Sequence, residues 1–288
     1  MYDALISPFI EFAFMRRALV GAIALALSGA PIGVFLMLRR MSLTGDAMAH
    51  AILPGAAVGY LFAGLSLTAM TLGGLAAGMA VAILAGIVSR ATSLREDATM
   101  AAFYLVSLAL GVTLVSAKGS NIDLLHVLFG SVLALDDDAL FLLAGISSVT
   151  LAALALLYRP LTLECVDPGF LRSVSRAGPY AHLSFLGLVV LNLVGGFHAL
   201  GTLLAVGVMM LPAATARLWS ADITIMIGVA MLTGVMSSVG GLLTSYHFSL
   251  PAGPAIILWA GAVYAVSLAV GPAGGILSNL VPRRHYAA

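Results

Sequence analysis

Long stretches without a charged side chain constrain this sequence more than any other feature. No Asp, Glu, Lys or Arg occurs in 51–89 or in 177–216. Each stretch is about twice the roughly 20 apolar residues of helix that cross a hydrocarbon core about 30 Å thick. Only 9% of the 288 residues are charged, against about 25% in a soluble domain, and 61% are hydrophobic. The chain cannot cover a water-soluble surface, and we predict an all-α, polytopic helical membrane protein.

Composition and missing motifs exclude several other classes of protein. The single cysteine, Cys165, permits no internal disulfide, which excludes a disulfide-stabilised scaffold. A net charge of +1 does not supply the basic surface that nucleic-acid binding requires, so we expect no nucleic-acid partner. The sequence contains no G-x-x-x-x-G-K-[ST], H-E-x-x-H or G-x-S-x-G motif. We therefore expect neither P-loop ATP binding nor an enzyme activity in this chain.

The distances between charged residues predict about eight full membrane spans and a half-helix or short ninth span. The stretch 51–89 is long enough for two crossings, with a break at Gly64-Leu65-Ser66. Between 180 and 218, Gly201 and Pro212 divide a full helix from a short piece at about 200–211. The other predicted spans are 18–38, 98–117, 139–158, 180–197, 222–243 and 254–272.

The arginines predict the orientation of these spans, because cytoplasmic loops are enriched in Lys and Arg. One orientation leaves only Arg16, Arg17 and Lys118 outside. We expect residues 1–15 to form an interfacial helix. The longest polar loop, about 159–179, is too short to fold alone, so residues 1–288 are expected to form a single transmembrane domain. The arginines placed in the cytoplasm are Arg39, Arg40, Arg90, Arg95, Arg159, Arg172, Arg176, Arg217, Arg283 and Arg284.

Charged and imidazole side chains at the head of the second span form the first candidate site. Asp46 and His50 are four residues apart, so a helix places them on one face. A carboxylate oxygen and an imidazole nitrogen side by side form half of a divalent transition-metal site. The alternative is that Asp46 caps the helix N-terminus and His50 is satisfied by a neighbour.

Other candidate ligands are more scattered. Asp123 and His126 share a helical face, but Asp123 could instead cap a short re-entrant helix while His126 faces water. His198 and His247 lie by the outer ends of later spans, where each could be a third ligand or an ordinary interfacial histidine. The acidic run 136–138 could attract cations or form a solvated loop. His182, close to the cytoplasmic arginines, is expected to be a bystander.

Four sequence blocks, taken together, resemble the permease subunits of the zinc/manganese/iron ABC importer family, the ABC-3 type. They occur in the family's order and extend from residue 39 to residue 254, so the resemblance covers nearly the whole chain. One block alone would be weak, whereas four in order are specific. The blocks are RRMSLTGDAMAHA (39–51), DLLHVLFG (123–130), GTLL through LPAATAR (201–217) and LPAGP (250–254).

The resemblance implies an ABC importer permease fold in the bacterial cytoplasmic (inner) membrane. It implies a homodimer with membrane lipid around it, an ATP-binding subunit dimer on the cytoplasmic side and an extracytoplasmic metal-binding protein. Asp46 and His50 match positions that line a transient metal site in such permeases. Asp123 matches a recurrent aspartate, His126 stands where members vary, and His198 matches no family position.

The resemblance also places a contact with the ATPase. It implies a cytoplasmic coupling helix at 212–220 that includes Pro212, Ala213, Ala214, Thr215 and Arg217. The arginine count independently puts Arg217 inside. The alternative is that Arg217 is one more arginine anchoring the cytoplasmic side.

The expected function is therefore the permease subunit of an ATP-driven importer of divalent transition-metal ions. Six histidines favour zinc, since imidazole suits Zn²⁺, while manganese and iron remain alternatives within the same family. We expect no permanently bound cofactor, the Zn²⁺ (or Mn²⁺/Fe²⁺) being cargo. Two other readings remain open: a self-sufficient secondary cation carrier and a permease for metal chelates.

Overall fold

The structure is a computed structural model that describes residues 6–64, 66–93, 96–117, 132–166, 170 and 177–277. A 3-10 turn is formed by Val132–Ala134. The α-helices are α1 (Ser7–Glu11), α2 (Ala13–Leu38), α3 (Thr44–Ala51), α4 (Leu53–Ala63), α5 (Leu67–Ala91), α6 (Glu96–Ala117), α7 (Asp137–Val166), α8 (Ala177–Leu200), α9 (Thr202–Trp219), α10 (Ile223–Phe248) and α11 (Ala252–Val270).

Most of these helices are long and apolar enough to cross a membrane. Within the described residues seven qualify by length and composition, and α6 contributes a shorter apolar segment, Ala98–Leu114. The remaining predicted crossing is made by α3 and α4, which meet at Ile52. The predicted break at Gly64 is also present, and its φ of 63° is one that glycine adopts readily. The prediction of an all-α, polytopic membrane protein is confirmed.

A proline explains why one crossing is divided between α3 and α4. Pro54 lies in the first turn of α4 and has no N–H to donate to the carbonyl of His50. The carbonyl oxygen of Ala51, at the end of α3, accepts a hydrogen bond from the Ser107 hydroxyl of α6 at 3.0 Å. The division therefore leaves His50 in the last turn of α3, beside α6.

The N-terminal boundary differs from the prediction. α2 begins at Ala13, so residues 13–15 belong to the first long helix and not to a separate interfacial segment. Met15 is buried in the core, which extends the packed part of the helix beyond the predicted start at 18. Within the predicted interfacial segment, α1 is a separate short helix, and Arg16 donates to the carbonyl oxygen of Ile10 at 2.7 Å.

The short ninth span is α9, and it is longer than predicted. The break before it is at Gly201, whose φ of 91° favours glycine. Pro212 does not end the helix, which continues to Trp219. A break in the helix inside a membrane would leave backbone N–H and C=O groups unpaired. A proline within a membrane helix is tolerated where neighbouring helices pack around it. The segment 212–220, predicted as the coupling helix, is the C-terminal part of α9 and its cap, and its role in coupling stays a prediction.

Two ion pairs join α2 and α7 at both ends. Arg17 lies 2.8 Å from Asp137 near the start of both helices, and Arg39 lies 2.5 Å from Glu164 near the end of both. The helices are therefore parallel, as the predicted orientation requires. From Arg17 to Arg39 an α-helix rises about 33 Å at about 1.5 Å per residue, which matches a hydrocarbon core about 30 Å thick.

Candidate metal site between α3 and α9

Helix α3 brings Asp46 and His50 together one turn apart. Nε2 of His50 lies 3.8 Å from Oδ1 of Asp46. This separation is longer than a hydrogen bond. It fits two ligand atoms on one ion, because two metal–ligand bonds of about 2.1 Å reach up to about 4.2 Å. The local geometry therefore suits a shared divalent cation.

The alternative role of Asp46 as a helix cap does not apply. The N-cap of α3 is Leu43, and within the described residues no side chain caps this end. Asp46 lies inside the first turn, where a carboxylate is stabilised by the helix dipole. Its side chain is 61% exposed, and that of His50 is 25% exposed. Asp46 therefore faces open space, with its oxygens available to a ligand.

That space is a cavity of about 200 Å³ between α3 and α9. The polar groups on the α3 side are Asp46 and His50, and the first turns of α9 form the opposite wall. In a cavity whose walls are mostly apolar, the few polar groups determine where a cation binds. The lining residues are Asp46, Ala49, His50, Thr202, Leu203, Val206 and Gly207.

Glycines allow α9 to lie so close to α2 and α3. A Cβ added at Gly33 of α2 would clash with the carbonyl oxygen of Met209. A Cβ added at Gly45 of α3 would lie 2.5 Å from Cε of the same methionine. Met209 is fully buried between these helices. The wall of the cavity is therefore fixed by packing and not by a loop.

The α3 side of the cavity lies beside the middle of the apolar helix α6. Ser107, which bonds to the carbonyl of Ala51, is close to the midpoint of α6. His50 is the residue before Ala51. Binding sites of membrane transporters typically lie near the bilayer midplane, where helices are interrupted. The interruption at Ile52 places one helix end beside this point of α6, whereas Gly201 joins α8 and α9, each of which is long enough to cross a membrane.

The other face of His50 lies against α6. The imidazole stacks on the ring of Tyr104, with centroids 6.1 Å apart and ring planes at 29°. Nδ1 of His50 is buried, and it has no hydrogen-bond partner among the described residues. The ring therefore presents Nε2 towards Asp46 while its other nitrogen is shielded.

Within the described part of the chain, none of the other predicted ligands is seen at this cavity. Asp123 and His126 lie outside the described part of the chain. The backbone of His198 is in the last turn of α8, and its side chain lies outside the description. His247 is exposed in the last turn of α10, with its ring 5.3 Å from that of Tyr246. Within the described residues no group of three or more His, Cys, Asp or Glu could hold a metal ion.

The predicted coupling residues are mostly buried inside the protein. Pro212, Ala213 and Thr215 are buried, as is Ala216, which packs with Ala213 against α2 and α10. Ala214 is half-buried and Arg217 is exposed. Of the five predicted residues, only these last two present side-chain surface that another protein could touch.

Sequence reasoning missed the groups contributed by other helices. Thr202 was noted only as part of a motif, although it begins the helix that forms the far wall of the cavity. Tyr104 and Ser107 were not identified. Their spacing of three residues on an apolar helix places both on one face, which is a signal that polar atoms point into the protein.

Comparison with known proteins gives matches over nearly the full length of the chain. The sequence matches the ABC 3 transport family over residues 11–271. It is 30% identical to the manganese transport system membrane protein MntC of Halalkalibacterium halodurans, covering 96% of this chain and 93% of that protein. It is also 30% identical to a probable iron transport system membrane protein of Haemophilus influenzae, covering 93% and 97%.

A solved structure shows the same fold. The structure of PsaBC from Streptococcus pneumoniae in complex with Fab superimposes with a TM-score of 0.85. The match has 29% sequence identity and covers 98% of this chain and all of that chain. The architecture built from α1 to α11 is thus shared with a chain of that structure over its full length.

Proposed function

This chain belongs to the ABC 3 transport family, and we propose that it carries Mn²⁺ through the bacterial cytoplasmic (inner) membrane by way of Asp46 and His50. Membership in this family confirms the prediction that the chain is the permease of a metal importer. It also confirms the prediction that the chain transports and is not an enzyme. The observation that carries the proposal is the 3.8 Å approach of a carboxylate and an imidazole in the cavity between α3 and α9.

Zinc, which the histidine count favoured, is not supported by the relatives. The two relatives described above are named for manganese and for iron. The described site also favours manganese over zinc, because it offers one carboxylate and one imidazole and not several imidazoles. Manganese favours carboxylate, carbonyl and water oxygens. We therefore propose Mn²⁺ as the cargo, with Fe²⁺ as the second candidate on the strength of the iron-named relative.

Two side-chain ligands suit an ion that must leave again. Conduction and transport require binding that is strong enough to accept the ion and weak enough to release it. Asp46 and His50 would replace part of the hydration shell, and water in the open side of the cavity would supply the rest. Asp123, His126 and His198 remain proposed contributors to the path.

The partners that we propose follow from the family. An extracytoplasmic metal-binding protein delivers the ion, a second copy of the chain completes a homodimer, and a dimer of ATP-binding subunits drives transport. We propose that residues 1–288 form one permease domain and that the end of α9, with Arg217, meets the ATP-binding subunit. α9 then links the wall of the cavity directly to that contact.

Uptake of radioactive Mn²⁺ tests the site in cells that lack their own permease. Asp46→Ala and His50→Ala should reduce uptake at limiting Mn²⁺ by at least about tenfold, because loss of even an outer-shell partner of a metal ligand costs about that much. Asp138→Ala and His247→Ala are matched controls, since both side chains are exposed and away from the cavity. Normal uptake by Asp46→Ala at wild-type membrane levels would overturn the site assignment.

Two further measurements separate the alternatives. Competition by Zn²⁺ or Fe²⁺ that exceeds competition by unlabelled Mn²⁺ would overturn the proposed cargo. Transport by the purified chain alone in liposomes, without an ATP-binding subunit, would favour a secondary carrier. We expect the chain alone to be inert and the complete transporter to require ATP.

A further inference from the structure

We propose that Tyr104 of α6 is a positioning residue that orients the imidazole of His50 for metal transfer, a role that rests on the proposed function of His50. The two rings are 6.1 Å apart between centroids and inclined by 29°, which is a stacked arrangement. Tyr104 is not among the residues that line the cavity, so it acts through His50 and not on the ion.

The environment of Nδ1 explains why a packing partner would be needed to orient the ring. A histidine that binds metal through Nε2 usually donates its Nδ1–H to a carboxylate, carbonyl or water, and this bond fixes the ring. In His50 the Nδ1 atom is buried, and no partner for it exists among the described residues. The stacked ring of Tyr104 then supplies the orientation that a hydrogen bond would otherwise supply.

The face of α6 that carries Tyr104 is attached to the end of α3 at a second point. Ser107 is three residues further along the same face, and its hydroxyl donates to the carbonyl oxygen of Ala51 at 3.0 Å. Ala51 follows His50 directly. The backbone and the imidazole at this point of α3 are therefore held by neighbouring side chains of one helix, which keeps Nε2 facing Asp46.

Holding the ring by stacking has a consequence for transport. A carboxylate or carbonyl acceptor at Nδ1 raises the basicity of the imidazole and strengthens its bond to metal. An aromatic ring fixes the orientation without that increase. His50 is thus preorganised to receive an ion while keeping the weaker grip that lets the ion move on.

Three variants in the complete transporter, reconstituted in proteoliposomes with its ATP-binding subunits, test the role. Tyr104→Leu should raise the KM for Mn²⁺ uptake by about tenfold, the lower end of what losing an outer-shell partner costs. The maximal rate should change by less than about twofold, because the ring affects capture of the ion and not coupling to ATP. Tyr104→Phe keeps the ring and should restore a KM within about twofold of wild type.

Phe103→Leu is the matched control. Phe103 is the adjacent aromatic residue of α6 and packs against the hydrophobic core. Loss of its ring should leave the KM for Mn²⁺ within about twofold. If Tyr104→Leu does not reach the membrane, Tyr104→Met provides the second test, since methionine fills the space flexibly without a ring.

The outcomes distinguish this proposal from the proposed function. Normal uptake by His50→Ala would overturn the function of His50 and the positioning role together. Impaired His50→Ala with a normal KM for Tyr104→Leu or Tyr104→Met would overturn the positioning role alone. A KM for Tyr104→Phe as high as that for Tyr104→Leu would also overturn it, because the hydroxyl and not the stacked ring would then be responsible.

Discussion

Arg39 and Glu164 form a partly buried ion pair, with Nη2 of the arginine 2.5 Å from Oε2 of the glutamate. Their side chains are 7% and 19% exposed. The same guanidinium also contacts α8, because Nη1 lies 3.0 Å from Nδ1 of His182 and the group lies over the Phe185 ring at 4.7 Å. A single side chain of α2 therefore holds α7 and α8 at the end of the bundle that we assign to the cytoplasm.

We expect Arg39→Ala to destabilise the protein strongly. Removing one partner leaves the other charge uncompensated, which costs about 3–5 kcal/mol in a fully buried pair and about 0–1 kcal/mol in an exposed one, so this partly buried pair should fall between the two. The measurement is the thermal unfolding midpoint of the detergent-purified chain. Arg40→Ala is the matched control, because Arg40 is the adjacent arginine and its side chain is exposed.

The ion pair at the opposite end of α2 provides a second comparison. Arg17 and Asp137 are 2.8 Å apart but 41% and 61% exposed. Exposed pairs contribute about 0–1 kcal/mol, so Arg17→Ala should shift the midpoint only slightly. Equal shifts for Arg17→Ala and Arg39→Ala would show that burial does not distinguish the two pairs.

The features that could be predicted from the sequence alone depend on residues that are close together in the chain. Charge spacing located the spans, and glycines located the breaks at Gly64 and Gly201. Asp46 and His50 could be paired because their separation of four residues is one turn of helix. Such predictions succeed because the relevant geometry is set within a few residues of the chain.

Contacts between distant segments could not be predicted in the same way. Tyr104 is more than fifty residues from His50, and Thr202 is more than one hundred and fifty. Their approach depends on how the helices pack, which local spacing does not encode. Arg39 shows the same limit, since its position marked the cytoplasmic side but did not reveal Glu164 as its partner. The continuation of α9 through Pro212 likewise depends on its buried surroundings.

Backbone contact between α4 and α5 gives a second prediction. A Cβ added at Gly55 would clash with the carbonyl oxygen of Gly73, and one added at Gly73 would clash with that of Gly55. Gly55→Ala should therefore force the helices apart and cost about 1–3 kcal/mol, as overpacking does. The loss should appear as a lower unfolding midpoint in detergent.

Gly86→Ala is the control for that measurement. Gly86 lies on α5 as Gly73 does, but no described atom lies within 4 Å of a Cβ built there. Alanine is favoured over glycine inside a helix by about 0.5–1 kcal/mol, so Gly86→Ala should be neutral or stabilising. A destabilisation as large as that of Gly55→Ala would mean that helix contact is not the cause.

A buried polar cluster in the bundle gives a third prediction. Asn192 of α8 donates to the Ser28 hydroxyl of α2 at 2.7 Å, and that hydroxyl lies 3.1 Å from the hydroxyl of Ser147 of α7. Interhelical hydrogen bonds of this kind contribute about 0.6 kcal/mol on average and up to about 1.7 kcal/mol. Asn192→Ala should lower the unfolding midpoint within this range.

Ser148→Ala separates the interhelical bond from a general loss of polarity. Ser148 is exposed, and its hydroxyl donates to the carbonyl oxygen of Ala144 in its own helix at 2.8 Å. Its removal should leave the midpoint unchanged within error. If Ser148→Ala and Asn192→Ala gave the same shift, the cluster would not be joining α2, α7 and α8.

Arg217 gives the last prediction, on the proposed contact with the ATP-binding subunit. Three of the five predicted coupling residues are buried within the protomer, which leaves Arg217 as the one charged, exposed member. Arg217→Ala should weaken association of the permease with its ATP-binding subunits by about tenfold, or about 1.4 kcal/mol. Co-purification and Mn²⁺-stimulated ATP hydrolysis measure this effect.

Arg159→Ala is the control. Arg159 is another exposed arginine assigned to the cytoplasm, and the variant should associate normally. Normal association of Arg217→Ala together with weakened association of Arg159→Ala would place the contact at the 159–179 segment and not at the end of α9. A charge at an interface influences only the partner that it faces.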